Sequence, residues 1–166
     1  MRITLLLIFV LAASNFSLAG TQLTNQNFDW YSENREYIRD LIKSGNVREL
    51  VPVINTIGTI WKYRDGAIGS EVSEGVAEAM IYQPKLIFTW FNKHPEQLIQ
   101  WNKRMQPDLF TDYAGSQAIV KRMNSIKDLL NSELFKFIST EKDRKLVAAA
   151  ITVLDSLRTI SVREIN

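Results

Sequence analysis

The chain has 166 residues, a formal charge of +2, one histidine and no cysteine. That small charge gives no basic surface for nucleic acid, and one histidine without cysteine leaves a structural zinc site short of ligands. Disulfides and thiol chemistry are excluded outright, so stability must come from packing.

The first element in chain order is not part of the fold. MRITLLLIFVLAASNFSLAG places one positive residue, Arg2, before an apolar run from Ile3 to Ala13, followed by a polar stretch ending in Ser17-Leu18-Ala19. Small residues three and one positions before a cut suit signal peptidase, so cleavage is expected between Ala19 and Gly20. The apolar run of about 11 residues is too short for a membrane-spanning helix, which takes about 20. No cysteine stands at the cut to carry a lipid anchor. The expected product, residues 20–166, is periplasmic or secreted, without stable membrane insertion. Of 166 residues, 147 remain once the first 19 are removed, and the loss of Arg2 takes the charge from +2 to +1. That is the length of one domain, able to bury about two-thirds of the surface of its unfolded chain.

Residues 21–27 are polar and aperiodic, and read as a lead-in. The spacing of Tyr37, Ile38, Leu41 and Ile42 predicts a helix from Glu33 to Lys43, stopped by Ser44-Gly45. Asn46 and Glu49 resemble a capping box. They open a second helix carrying Leu50, Val51, Ile54, Ile57 and Trp61, with a kink or delayed start expected at Pro52. A third helix is expected after Gly69 or Ser70, with Glu71 and Glu74 in its first turns and Val72, Val76, Ala79 and Met80 as its apolar stripe. Gln83-Pro84, His94-Pro95 and Gln106-Pro107 each place a proline where a helix can begin, which predicts three short helices end to end. Gly115-Ser116 starts another, ending at Asn131-Ser132, with Ile119, Val120, Met123, Ile126 and Leu130 inward. A short helix over Leu134–Ile138 comes next. The last helix, Glu141–Ile160, has the cleanest period, through Leu146, Val147, Ala150, Ile151, Leu154 and Leu157. No segment alternates with period two, so strands are not required. The predicted fold is all-α, a single domain of seven to eight helices.

The proline-started helices and the phrase NVRELVPVINTI resemble helical-hairpin repeats of the HEAT type, over about a third of the chain and without a repeat length that returns cleanly. The resemblance implies a helical array, and carries no activity with it.

Candidate sites follow from residue chemistry. YQPKLIFTWFNKHPEQLIQW, residues 82–101, holds two of the four tryptophans and the only histidine. Trp90 and Trp101 share faces with Leu86, Ile87 and Leu98, which is core spacing, and aromatic rings line cores and ligand grooves alike. His94 is the one imidazole available as a general base, yet no serine elbow or cysteine accompanies it as a nucleophile. Trp90, His94, Trp101 and Arg104 are the candidate binding residues of a groove over 83–113. Glu71, Glu74 and Glu78 fall on one side of the third helix. They are either a solvated face or a carboxylate set for glycoside hydrolysis. DGAIGSEVSEG lacks the Gly-Lys-Ser/Thr ending of a phosphate loop, and its glutamates would repel phosphate.

The functional expectation is recognition without catalysis: an exported protein that needs no cofactor or metal and binds another envelope or extracellular protein or peptide. An inhibitor or immunity-type role belongs to that class. The alternatives are a peptidoglycan-active enzyme using Glu71, Glu74 or Glu78, and a structural component of the envelope.

Overall fold

The computed structural model describes residues 25–64 and 66–165, which form eight helices and one pair of two-residue strands. The predicted signal segment, residues 1–19, and its cut lie outside them. In order come α1 (25–33), α2 (Arg35–Ser44), α3 (Val47–Tyr63), α4 (Gly66–Tyr82), α5 (Pro84–Lys93) and α6 (Pro95–Leu109), then β1 (Thr111–Asp112), α7 (Gln117–Thr140), α8 (Arg144–Thr159) and β2 (Arg163–Glu164). The fold is all-α, as the sequence predicts.

α4 is the hub, packed against α2, α3, α5, α6 and α7. Its sequence explains that position. Val72, Val76, Ala77, Ala79, Met80 and Ile81 are all buried, so apolar residues occupy more than one stripe, as a surrounded helix requires. Its small residues let neighbours come close. A Cβ at Gly75 would collide with the Tyr31 hydroxyl at 2.6 Å, so α1 is seated directly on the α4 backbone. Burial raises the Tyr31 phenol above its ordinary pKa, with Arg35 opposing.

Gly45 ends α2 in the left-handed conformation, φ 75°, where glycine carries no steric penalty. Pro84 and Pro95 open α5 and α6 at their first positions. Other boundaries differ from expectation. α3 begins at Val47 and runs through Pro52. Asn46 donates its side-chain amide to Glu49 Oε1 at 2.7 Å, in place of capping the backbone. α4 starts at Gly66; its glycines are poor helix formers, but packing on α6 and a Ser73 Oγ bond to the Gly69 carbonyl (2.6 Å) hold the turn. Pro107 does not start a helix: it lies in the last turn of α6, where its missing N–H removes a single bond near the end. Asn131-Ser132 does not break α7. Leu130, Leu134 and Phe137 continue one buried stripe across it, and Ser132 Oγ donates back to the Leu129 carbonyl at 3.1 Å, so packing overrides the weak local preference. Ile119, expected inward, is exposed, as is Ile151 on α8.

The strands pair in parallel, Thr111 with Arg163 and Asp112 with Glu164, and no periodicity announces so short a contact. Gln106 reinforces it, donating from Nε2 to the carbonyls of Phe110 (3.0 Å) and Ser161 (2.9 Å). Asp112, almost fully buried, accepts the backbone N–H groups of Ala114 (2.8 Å) and Ser116 (2.5 Å) ahead of α7.

α7 and α8 form a helical hairpin through residues 141–143, where Asp143 caps α8 by accepting the Lys145 N–H. Glu141 Oε1 accepts the N–H groups of Lys142 (2.8 Å) and Asp143 (3.0 Å), while Oε2 lies 3.3 Å from Lys85 Nζ on α5. The Asp143 and Lys142 donors, aided by Lys85, hold the Glu141 carboxyl below its ordinary range. A lowered folded value stabilises above the unfolded value of about 4.3, and that gain is lost as pH falls through the folded value. Denaturation midpoints should therefore favour the native protein over Glu141→Gln at neutral pH, with the advantage shrinking at about pH 3. An advantage that is the same at both pH values would remove this role.

Candidate functional site

The aromatic stretch at 82–101 divides between core and surface. Trp90 on α5 is 6% exposed and Trp101 on α6 is 0% exposed. The Trp90 indole lies against Gly58 of α3, with no room between them for a Cβ. Trp101 meets Trp61 of α3 edge to face, with ring centroids 5.1 Å apart. His94, at the joint of α5 and α6, is partly exposed, packs on Trp90 at 4.6 Å and has Nδ1 4.0 Å from Glu96 Oε1. Of the four candidate binding residues, the structure brings Trp90 and His94 into contact. Trp101 turns inward, and Arg104 engages a different partner.

That partner is Asp108, which sequence reasoning did not single out. Arg104 clasps it with two bonds, Nη2 to Oδ1 at 2.7 Å and Nε to Oδ2 at 3.1 Å. The Asp108 side chain is only 4% exposed, a burial that a carboxylate tolerates when it is charge-paired and bonded. Arg64 adds a second cation. Its guanidinium stacks 3.2 Å from the Trp61 ring centroid and donates to the Trp61 carbonyl. Burial pulls the Arg64 pKa down to about 10, with Asp108 opposing and Arg104 reinforcing the shift. The i, i+4 spacing of Arg104 and Asp108 was the available signal.

Glu71, Glu74 and Glu78 do not form the free solvated face the sequence suggested. Each lies within ion-pair distance of an arginine from a neighbouring helix: Arg35 of α2 at 3.6 Å from Glu71, Arg122 of α7 at 2.7 Å from Glu74, and Arg39 of α2 at 2.7 Å from Glu78. The row clamps α2 and α7 to α4.

Two concavities bear on function. The first, about 220 Å³, opens between α2, α4, the end of α6 and α7. Arg35, Glu71, Glu74, Asp108 and Arg122 supply its charges, while Leu109 and Met123 are apolar lining and Tyr113 is an exposed wall. The second, about 430 Å³, follows the outer side of the α7–α8 hairpin. Asp128, Asn131, Ser132 and Phe135 line it from one face of α7, with Leu154 and Arg158 from α8. Phe135 is 64% exposed there, and Ile151, one turn from Leu154 on α8, is also exposed. None of Trp90, His94, Trp101 and Arg104 lines either concavity.

Among the described residues no group of three or more His, Asp or Glu is placed to hold a metal ion, and no helix is long and apolar enough to cross a membrane. Comparison with protein families, curated proteins and solved structures found no match to this chain.

Proposed function

We propose that the protein is exported and acts by non-covalent recognition of another protein, held in the outer groove of the α7–α8 hairpin. The observation that carries this reading is Phe135, an aromatic ring left 64% exposed within a concave surface. Exposed aromatic rings in grooves are the side chains that dominate binding when a partner covers them. Two packed helices present a trough suited to a third, so the fitting partner is an amphipathic helix with an apolar anchor for Phe135. Asp128 lines the groove, which favours a partner carrying a basic residue at its polar edge; Arg158, also in the lining, is already paired with Asp155 at 2.9 Å. An inhibitor or immunity-type protein that blocks an envelope enzyme or toxin would act in this way.

The competing peptidoglycan enzyme draws less support. Glu74 and Glu78 are each held at 2.7 Å by an arginine of another helix, which gives them a task in holding the fold, and Glu71, half-exposed beside Arg35, is left without a second free carboxylate to work with.

The test is crosslinked capture from the native envelope fraction with the wild-type protein and Phe135→Ala. Because Phe135 is exposed, the variant should unfold within about 0.5 kcal/mol of wild type and yet lose partner retention by about tenfold or more. A partner retained equally by both proteins would rule out the groove. Sequencing the N-terminus of the recovered protein tests export: a start at Gly20 supports it, and an intact Met1 removes it.

A further inference from the structure

We propose that the pocket between α2, α4, α6 and α7 binds a small zwitterion, a free α-amino acid with an aliphatic side chain. This is independent of the partner groove, which lies on the outer side of the hairpin. The argument starts from the unequal strength of the two ion pairs that line the pocket. Arg122 and Glu74 are 2.7 Å apart, with the carboxylate mostly buried. Arg35 and Glu71 are 3.6 Å apart, both side chains are well exposed, and Arg35 also reaches the Glu71 carbonyl at a long 3.4 Å and lies 5.9 Å from the Tyr31 ring centroid.

So loose and wet a pair contributes little on its own, and its two ends are open to exchange. A guest carboxylate can accept both N–H groups of the Arg35 fork, while the guest ammonium donates to Glu71. A guest with a single charge engages one end and leaves the other to water, so it forms only one of the two charged contacts and binds more weakly than the zwitterion. Asp108 does not compete for the ammonium, since Arg104 already holds both of its oxygens. Leu109 and Met123 offer an apolar surface for an aliphatic side chain, and Tyr113 stands exposed beside it. The volume of about 220 Å³ lies below the roughly 300–1,000 Å³ of pockets for drug-sized ligands, which limits the guest to something near one residue in size.

The test is an amide-shift NMR titration of the purified protein with leucine, and with its two single-charge analogues, 3-methylbutylamine and 4-methylpentanoate. Leucine should give saturable shifts at Glu71, Tyr113 and Met123, with the amides of Asn131 and Phe135 unmoved. Each analogue should bind at least about tenfold more weakly than leucine. Arg35→Gln and Glu71→Gln, both at exposed positions and checked for folding by circular dichroism, should each weaken leucine by about tenfold. Analogues that bind as well as leucine, variants that bind it like wild type, or no saturation by about 50 mM would overturn the proposal.

Discussion

Replacing Gly58 with alanine is expected to destabilise the protein by about 2–3 kcal/mol, because the Trp90 indole occupies the space the new methyl needs. The sign is the informative part. In an exposed helix interior the same change stabilises by about 1 kcal/mol, since alanine is the better helix former. At position 58 the methyl would enter the volume of a large ring that is itself wedged between α3 and α5 and has no flexible end to give way. Thermal unfolding should show a midpoint lowered by roughly 10 °C for a domain of this size. Trp90→Leu, which shrinks the neighbour, should recover part of that loss in a double-mutant cycle. A Gly58→Ala midpoint at or above wild type would mean that the ring lies elsewhere.

Trp101→Ala should cost more, about 3–5 kcal/mol. Its ring is fully buried and meets Trp61 edge to face at 5.1 Å, so the truncation loses buried area, leaves a cavity and removes an aromatic pair worth roughly 0.5–1.5 kcal/mol beyond its area. Against a total stability of about 5–15 kcal/mol, this brings the native state close to its limit. Denaturant titration followed by circular dichroism measures the loss without relying on tryptophan emission. A loss below about 1 kcal/mol would take Trp101 out of the core. The same argument governs binding assays: a Trp101 variant that stops binding has first lost structure, and an Arg104 variant strands the buried Asp108 carboxylate, whereas Phe135 and His94 can be changed at the surface.

The fold class was legible because helical periodicity is a local signal. Leu146, Ala150, Leu154 and Leu157 recur along α8 and all four are buried. Boundaries failed where local punctuation met long-range packing. Pro107 and Asn131-Ser132 look like breaks, but a proline in a last turn removes one bond, and a buried stripe carries α7 past two weak residues. The role of the glutamates was illegible for a different reason. Their arginines lie 36, 39 and 48 residues away in sequence, beyond any spacing rule within one helix. Gly58 and Trp90 are likewise far apart, and nothing in either neighbourhood announces that one receives the other. Phe135 could have been found: it falls outside the stripe formed by Leu130, Leu134 and Phe137, so helix geometry alone turns it outward.

α7 is one helix by shape, but its burial is uneven. Its buried side chains are Leu130, Leu134 and Phe137, all in the second half. Met123 and Ile126, only partly buried, pack the first half, where Arg122 reaches Glu74 and Asp112 secures the preceding turn. Opening free energy follows buried apolar contact, not hydrogen-bond continuity. Amide protons near residues 120–126 should therefore exchange with solvent through a local opening that spares the rest, while those from Leu134 onward wait for the whole molecule to unfold. The boundary of cooperativity falls within a continuous helix, and the half that opens more easily is the one that supplies Arg122 and Met123 to the charged pocket.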